Sequence, residues 1–155
     1  MWIPPEELDP IYFHCPTRKS IRYFGAVRLR DGKFIYQRST EPFNGETFLQ
    51  FMKFFRTKSC HSGRKVVVTL DNAKYHHAKL HEEWREERQD RFALDFLPPY
   101  SPKLNMIERV WKLTRRLRTH NVSFTDVEQI AYAVESQFEI WANPNDSLRR
   151  LCAIT

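Results

Sequence analysis

Apolar positions along this chain fall into two patterns: short β-branched or aromatic runs of strand length, and stretches where they recur every three or four residues. The run Arg18 to Arg30, then Asp31-Gly32, then Lys33 to Arg38 predicts a hairpin, because Asp-Gly tolerates the positive φ of a tight primed turn. Glu41-Pro42 closes its second strand. Residues 1–17 carry Pro4, Pro5, Pro10 and Pro16 with little periodicity, which predicts an extended, irregular lead-in. Asn44 can cap a helix in which Phe48, Phe51, Met52 and Phe55 recur at helical spacing, a stripe of core type. Val66-Val-Val-Thr-Leu70 predicts a short, fully buried strand, since β-branched side chains suit a pleated core position.

Beyond that strand, His77 to about Glu87 predicts a helix with Leu80 and Trp84 one turn apart and acids outside. Phe92-Ala-Leu-Asp-Phe96 predicts another strand, ended by Pro98-Pro99. A helix comes next, from about Leu104 to Arg118, burying Ile107, Val110 or Trp111, Thr114 and Leu117. Thr125-Asp-Val-Glu128 reads as a capping box before a helix carrying Val127, Ile130, Ala131, Val134, Phe138 and Trp141. Asn143-Pro144 stops it, and Asp146 to about Leu151 predicts a further turn or two. Hairpin, helix, strand, helix, strand, helix, helix indicates one α/β domain with a mixed sheet.

Composition narrows the class. With 155 residues, 41% hydrophobic and 28% charged, the chain is an ordinary globular domain able to bury roughly two-thirds of its unfolded surface. No run approaches the ~18 apolar residues of a membrane span. Three separated cysteines, Cys15, Cys60 and Cys152, argue against a disulfide framework and for a reducing, intracellular setting. The net charge of +6 is uneven: six basic residues from Lys103 to Arg118 face the single acid Glu108. Such clusters attract polyanions, although a solvated helix face explains a charge run equally well.

The candidate chemistry centres on Asp71-Asn72, which ends the valine strand where open α/β sheets bind ligands. A buried acid there is costly unless paired or metal-bound, yet Asp71 could also cap the next helix. Glu108 lies near the start of a later helix, behind the stiff loop Leu97-Pro-Pro-Tyr-Ser-Pro102, and a lone Glu there often only complements the helix dipole. Asp95 is one strand over from Asp71 and reads as an interior acid. The doublets His14-Cys15 and Cys60-His61 lack zinc-ligand spacing. No glycine-rich phosphate loop is present, which counts against a nucleotide-binding module.

Leu70-Asp71-Asn72-Ala73 with His76, followed by Leu97-Pro-Pro-Tyr-Ser-Pro-Lys-Leu-Asn105 and Ile107-Glu108-Arg-Val-Trp111, closely resembles DDE transposases, nearest to bacterial insertion-sequence relatives of the mariner superfamily. The acids stand in the family's order with 36 residues between them, and the hairpin looks like that group's second and third strands. The resemblance implies a ribonuclease H-like mixed sheet flanked by helices. It implies three carboxylates holding two Mg²⁺ or Mn²⁺ ions, with Asp71 as the second acid and Glu108 as the third. Asn72 and Asn105 would orient the carboxylates through hydrogen bonds, although either serves equally well as a turn or cap residue. His76 would assist near the metals or contact phosphate, although a packed or surface histidine explains it equally well. Lys103, Arg109, Lys112, Arg115, Arg116 and Arg118 would bind DNA phosphates. The implied partners are DNA, as transposon ends and target, and further copies of the chain, in a bacterial, nucleoid-associated setting without membrane or small-molecule cofactor.

The departure lies at the N-terminus. The family's first Asp sits on a strand before the hairpin, where this chain offers only Glu6, Glu7 and Asp9 in a proline-rich lead-in. The expectation is therefore a single, N-terminally incomplete catalytic domain over 1–155, lacking the first strand, that binds metal weakly and cuts nothing alone. The alternative is a non-catalytic remnant that binds DNA or a full-length transposase.

Overall fold

The computed structural model describes residues 11–14, 19–59 and 63–153. The described residues fall into two compact units, one within Met1–Thr40 and Met106–Thr155 and the other within Glu41–Asn105. Each unit combines a small sheet with helices, so the class is mixed α/β as expected.

The first unit contains an antiparallel sheet of β1 (Ile11–His14), β2 (Ser20–Val27) and β3 (Phe34–Ser39). The strand β1 corrects the expectation of a wholly irregular lead-in: Ile11 pairs with Tyr23 and His14 with Ser20. Its sequence, Ile-Tyr-Phe-His, contains no acid, so it does not supply the carboxylate the resemblance puts on a first strand. Glu6, Glu7 and Asp9, with Cys15, Cys60 and His61, lie outside the described residues.

The hairpin β2–β3 is present, with Val27 opposite Phe34, but its connection is wider than a two-residue turn. The N–H of Gly32 bonds the Arg28 carbonyl at 2.8 Å, and Arg28 in turn bonds the Lys33 carbonyl. Gly32 has φ +76°, and a Cβ there would lie 2.4 Å from the Asn145 carbonyl oxygen, so only glycine fits.

Against this sheet pack α3 (Met106–Thr114), α4 (Val127–Ile140) and α5 (Asp146–Leu151). Tyr23, Phe34, Val110, Trp111, Ile130, Val134, Phe138 and Leu148 are almost wholly buried and form the core. Phe34 meets Trp111 edge-on at 5.7 Å and Phe138 at 5.0 Å. The cap of α4 is Asp126, one residue later than the capping box predicts. Its carboxylate accepts from the Gln129 N–H at 2.9 Å, while the Gln129 side chain reaches back to the Thr125 N–H.

The helix predicted to run from Leu104 to Arg118 is three pieces: a 3₁₀ turn Pro102–Leu104, α3, and a π-helical turn Arg115–Thr119. The buried Thr114 hydroxyl takes up the Val110 carbonyl, and beyond it His120 bonds Arg115 five residues back. That wider turn rotates the stripe out of phase, which is why Leu117 is 50% exposed instead of core.

The second unit holds α1 (Gly45–Ser59), β4 (Val66–Leu70), α2 (Glu82–Glu86) and β5 (Phe92–Phe96). Asn44 caps α1 reciprocally with Thr47, and Phe48, Phe51 and Met52 are buried as predicted. The strands β4 and β5 pair in parallel, Val66 opposite Phe92 and Leu70 opposite Phe96. The valine strand is not fully buried: alternate residues point to opposite faces, and Val67 is 55% exposed. The same alternation puts Asp95 on the exposed side, opposite Thr69, so it is not an interior acid. In place of one helix from His77, two 3₁₀ turns, Lys74–His77 and Lys79–His81, precede the short α2. Their buried side chains are His76 and His81, while Leu80 is 56% exposed.

Candidate metal-binding site

Asp71 is delivered by β4 to the point where the strand leaves its pairing with β5. Its carboxylate is half-buried and held from two directions. Oδ1 accepts from the Ala73 N–H at 3.0 Å and faces His76 Nδ1, also at 3.0 Å. His76 Nδ1 lies 3.0 Å from the Asp71 carbonyl as well. Carbonyl oxygens only accept, so Nδ1 carries the proton and donates to this pair of oxygens. The His76 ring is buried and seated against Phe48 at 4.6 Å and Tyr75 at 4.5 Å. A histidine that the sequence leaves between packing, phosphate contact and support is thus packed and supports Asp71.

Burial alone would raise the Asp71 carboxyl. The hydrogen bonds from His76 and the Ala73 N–H outweigh it and hold the group below the usual carboxylate range. Both of those bonds fall on Oδ1, and among the described residues Oδ2 receives none. An ionised, anchored carboxylate with one oxygen so placed has the donor chemistry of a hard divalent cation. Asp71 therefore fits the metal that the family resemblance implies.

Asn72 and His77 complete this strand-end cluster. Asn72 Nδ2 donates to the Leu97 carbonyl at 2.8 Å, tying the exits of β4 and β5 together, and its Oδ1 faces His77 Nε2 at 3.1 Å. The His77 ring lies on Phe96 with centroids 4.0 Å apart. Sequence reasoning points to His76 and misses His77; the only signal for it is the His-His doublet itself.

Glu108 belongs to the other compact unit, in the first turn of α3, and is partly buried. Its helix is firmly seated: Met106, Ile107, Val110 and Trp111 are buried, and Arg109 Nη1 donates to the carbonyls of Leu151 and Ala153 at 2.9 and 3.4 Å. Asn105, just before α3, is buried, and its N–H closes the 3₁₀ turn on the Pro102 carbonyl. Among the described residues no three His, Cys, Asp or Glu side chains gather into a metal-binding group.

The basic residues do not form one uniform face. Arg109 is engaged by the carbonyls that end α5, and Arg118 Nε donates to Gln137 Oε1 at 3.0 Å. Lys112 and Arg116 are exposed, Arg115 is partly buried in the π-helical turn, and Lys103 is exposed in the 3₁₀ turn of the second unit.

Residues 7–131 match the family model described as DDE superfamily endonuclease. The chain belongs to that family. Its curated relatives include the uncharacterised protein y4pE/y4sA of Sinorhizobium fredii (strain NBRC 101917 / NGR234), 34% identical over 73 residues, which are 47% of this chain and 50% of that protein. The chain thus spans about half the length of the curated relative it matches. Among solved structures, the Mos1 transposase catalytic domain with raltegravir and Mg superposes with a TM-score of 0.70 at 16% identity, covering 93% of this chain and 74% of that one. The Mos1 mariner transposase catalytic domain gives 0.69 at 16% identity, with coverage of 93% and 72%. The Mos1 strand transfer complex gives 0.64 at 15% identity, with coverage of 98% and 44%. The fold of this DDE endonuclease family member is therefore the ribonuclease H-like α/β arrangement of that domain. Among its described residues no helix is long and apolar enough to cross a membrane.

Proposed function

We propose that this chain is a part of a transposase catalytic core that acts on DNA with Mg²⁺ or Mn²⁺ held by Asp71 and Glu108. The observation that carries the reading is Asp71 itself: a strand-end carboxylate kept ionised, braced on one oxygen by His76 and the Ala73 N–H. Glu108 is the second acid in this reading: it lies within the matched residues 7–131 and follows Asp71 in the order that the resemblance implies. A pair of such ions, when bound, supplies a clamp for the attacking and leaving oxygens of an in-line phosphoryl displacement. The chain's own part is to hold and orient two acids, and to present Lys112, Arg115 and Arg116 to phosphates, with water as nucleophile for strand cleavage and a DNA 3′-hydroxyl for strand transfer. Transposon ends, target DNA and further copies of the chain are the partners in this reading.

A further point belongs to this reading: since β1 contains no acid, the described residues contribute two of the three carboxylates that the resemblance implies, and the chain does not cut DNA unaided. Titrating Mn²⁺ into the wild type, Asp71→Ala and Glu108→Ala tests the shared site. A weak site in the wild type that each variant loses is expected; equal affinity in all three sinks it. Incubation with supercoiled plasmid and Mn²⁺ tests the second point, and nicking that depends on Asp71 would overturn it. The exposed Lys112 and Arg116 also favour a second reading, a non-catalytic DNA-binding remnant. That reading gains if DNA binding persists unchanged in both acid variants while no metal site is found.

A further inference from the structure

We propose that His77 is a positioning residue for Asp71, gripping the ends of β4 and β5 through Asn72; this rests on the reading of Asp71 as a metal ligand. The geometry is over-determined at Asn72. Its Nδ2 donates to the Leu97 carbonyl at 2.8 Å, which orients the amide and turns Oδ1 toward His77 Nε2, 3.1 Å away. An amide oxygen only accepts, so His77 is the Nε2-protonated tautomer and donates. The ring has a second hold, lying nearly flat on Phe96 with 4.0 Å between centroids and 21° between planes. Phe96 is the last residue of β5, Leu97 follows it, and Asn72 follows Asp71. One imidazole therefore locks both strand exits in place.

This differs from the work of His76. His76 touches the Asp71 carboxylate itself and helps keep it ionised, whereas His77 touches neither carboxylate oxygen and acts on the backbone that aims it. The Leu97 N–H returns a 2.8 Å bond to the Leu70 carbonyl, so the two strands stay paired up to the residue before Asp71. Beyond that bond, Asn72 and the imidazole that holds it tie the two exits together. Without that hold the 71–72 peptide keeps only the His76 contact on the Asp71 carbonyl while β4 and β5 remain intact, which loosens the direction of the carboxylate rather than the fold.

Both Asn72 and His77 are exposed, so water competes for their bond. The expected effect on metal affinity is about three- to tenfold, at or below the ~10–100-fold typical of partners behind a ligand. The test is Mn²⁺ titration of the full chain, read by water-proton relaxation, for the wild type, His77→Ala, His77→Gln and Asp71→Ala. A glutamine at 77 can donate the same bond to Asn72 Oδ1. The expected order is wild type, then His77→Gln within about twofold, then His77→Ala, with Asp71→Ala lowest. In parallel, long-range ¹H–¹⁵N spectra of the wild type should show His77 protonated at Nε2. Loss of affinity in Asp71→Ala with none in His77→Ala overturns this inference and leaves the metal site standing. Equal affinity in all four overturns the metal reading itself. Equal losses in His77→Ala and His77→Gln, or an Nδ1-protonated His77, overturn the hydrogen-bond route.

Discussion

Gly25 sits on β2 where no side chain can stand, and replacing it by alanine is the sharpest test of how α3 is seated. A Cβ at this position would lie 2.4 Å from the Trp111 ring and 2.8 Å from the Phe34 ring. Ordinary contact needs ~3.4–4 Å, so the indole must retreat by about 1 Å. It has little room to do so, because Trp111 is 1% exposed and already meets Phe34 at 5.7 Å and Phe138 at 6.0 Å. Overpacking of this kind costs about 1–3 kcal/mol, which for a chain of this length lowers Tm by about 2–12 °C. Differential scanning calorimetry of Gly25→Ala measures it. The cause can be separated from strand propensity by adding Trp111→Phe, whose smaller ring vacates the contested space. The double variant should then be more stable than the sum of the single losses implies, by about 0.5–3 kcal/mol. A Gly25→Ala protein as stable as wild type, or strictly additive losses, refutes the argument. Since Glu108 lies one turn before Trp111 on α3, such a result would also remove one of the reasons for regarding that helix as rigidly placed.

The remaining predictions concern charged groups and the partners that hold them. Asp71 is held below the usual carboxylate range, so its contribution to stability is full above the unfolded value of about 3.9 and is lost as pH falls through the lower folded value. His76→Phe keeps a ring against Phe48 but removes the donor; the Asp71 carboxyl ¹³C shift should then titrate at higher pH, and an unchanged titration would exclude His76 as the cause. Replacing Lys112 and Arg116 by alanine should weaken DNA binding uniformly across sequences and cut the slope of log affinity against log salt by about 2. Arg109→Ala should act differently: the carbonyls of Leu151 and Ala153 lose their donor, and thermal unfolding should register about 1–3 kcal/mol.

What the sequence made legible was mostly local. The strand β5 runs over the five residues predicted, Phe92 to Phe96, because a compact aromatic run ends at two prolines that admit no continuation. Asn44 and the Phe48-Phe51-Met52 stripe likewise announce α1 within one turn of themselves. Errors arose where a local rule met a competing contact. Thr125 and Asp126 are both good caps, and only the Gln129 side chain, bonding back to the Thr125 N–H, decides for Asp126. Leu117 continues a helical period on paper, but the wider turn Arg115–Thr119, closed by the His120 N–H on the Arg115 carbonyl, departs from the period. Three valines in a row look buried on both faces, whereas the pleat turns Val67 away from its neighbours.

The site divides along the same line. The strand-end position of Asp71 was readable because an acid that ends a β-branched run is a statement about adjacent residues. The hold on it was not, because Asn72 reaches a carbonyl 25 positions away and His77 finds its platform on β5. Charge patterning does not separate the basic positions for a related reason. Arg109, Lys112, Arg115, Arg116 and Arg118 look interchangeable as a basic run, but what a guanidinium can offer DNA depends on whether the fold has already given it an acceptor. Arg109 faces the carbonyls that end α5 and Arg118 faces Gln137, so the run is both a brace for α3 and a surface beside it. A scan that neutralises these positions one at a time should therefore sort them by observable: Arg109 and Arg118 into thermal stability, Lys112 and Arg116 into the salt dependence of DNA binding. If all of them moved the salt slope equally, the bracing contacts would carry no weight, and α3 would be merely a solvated basic helix.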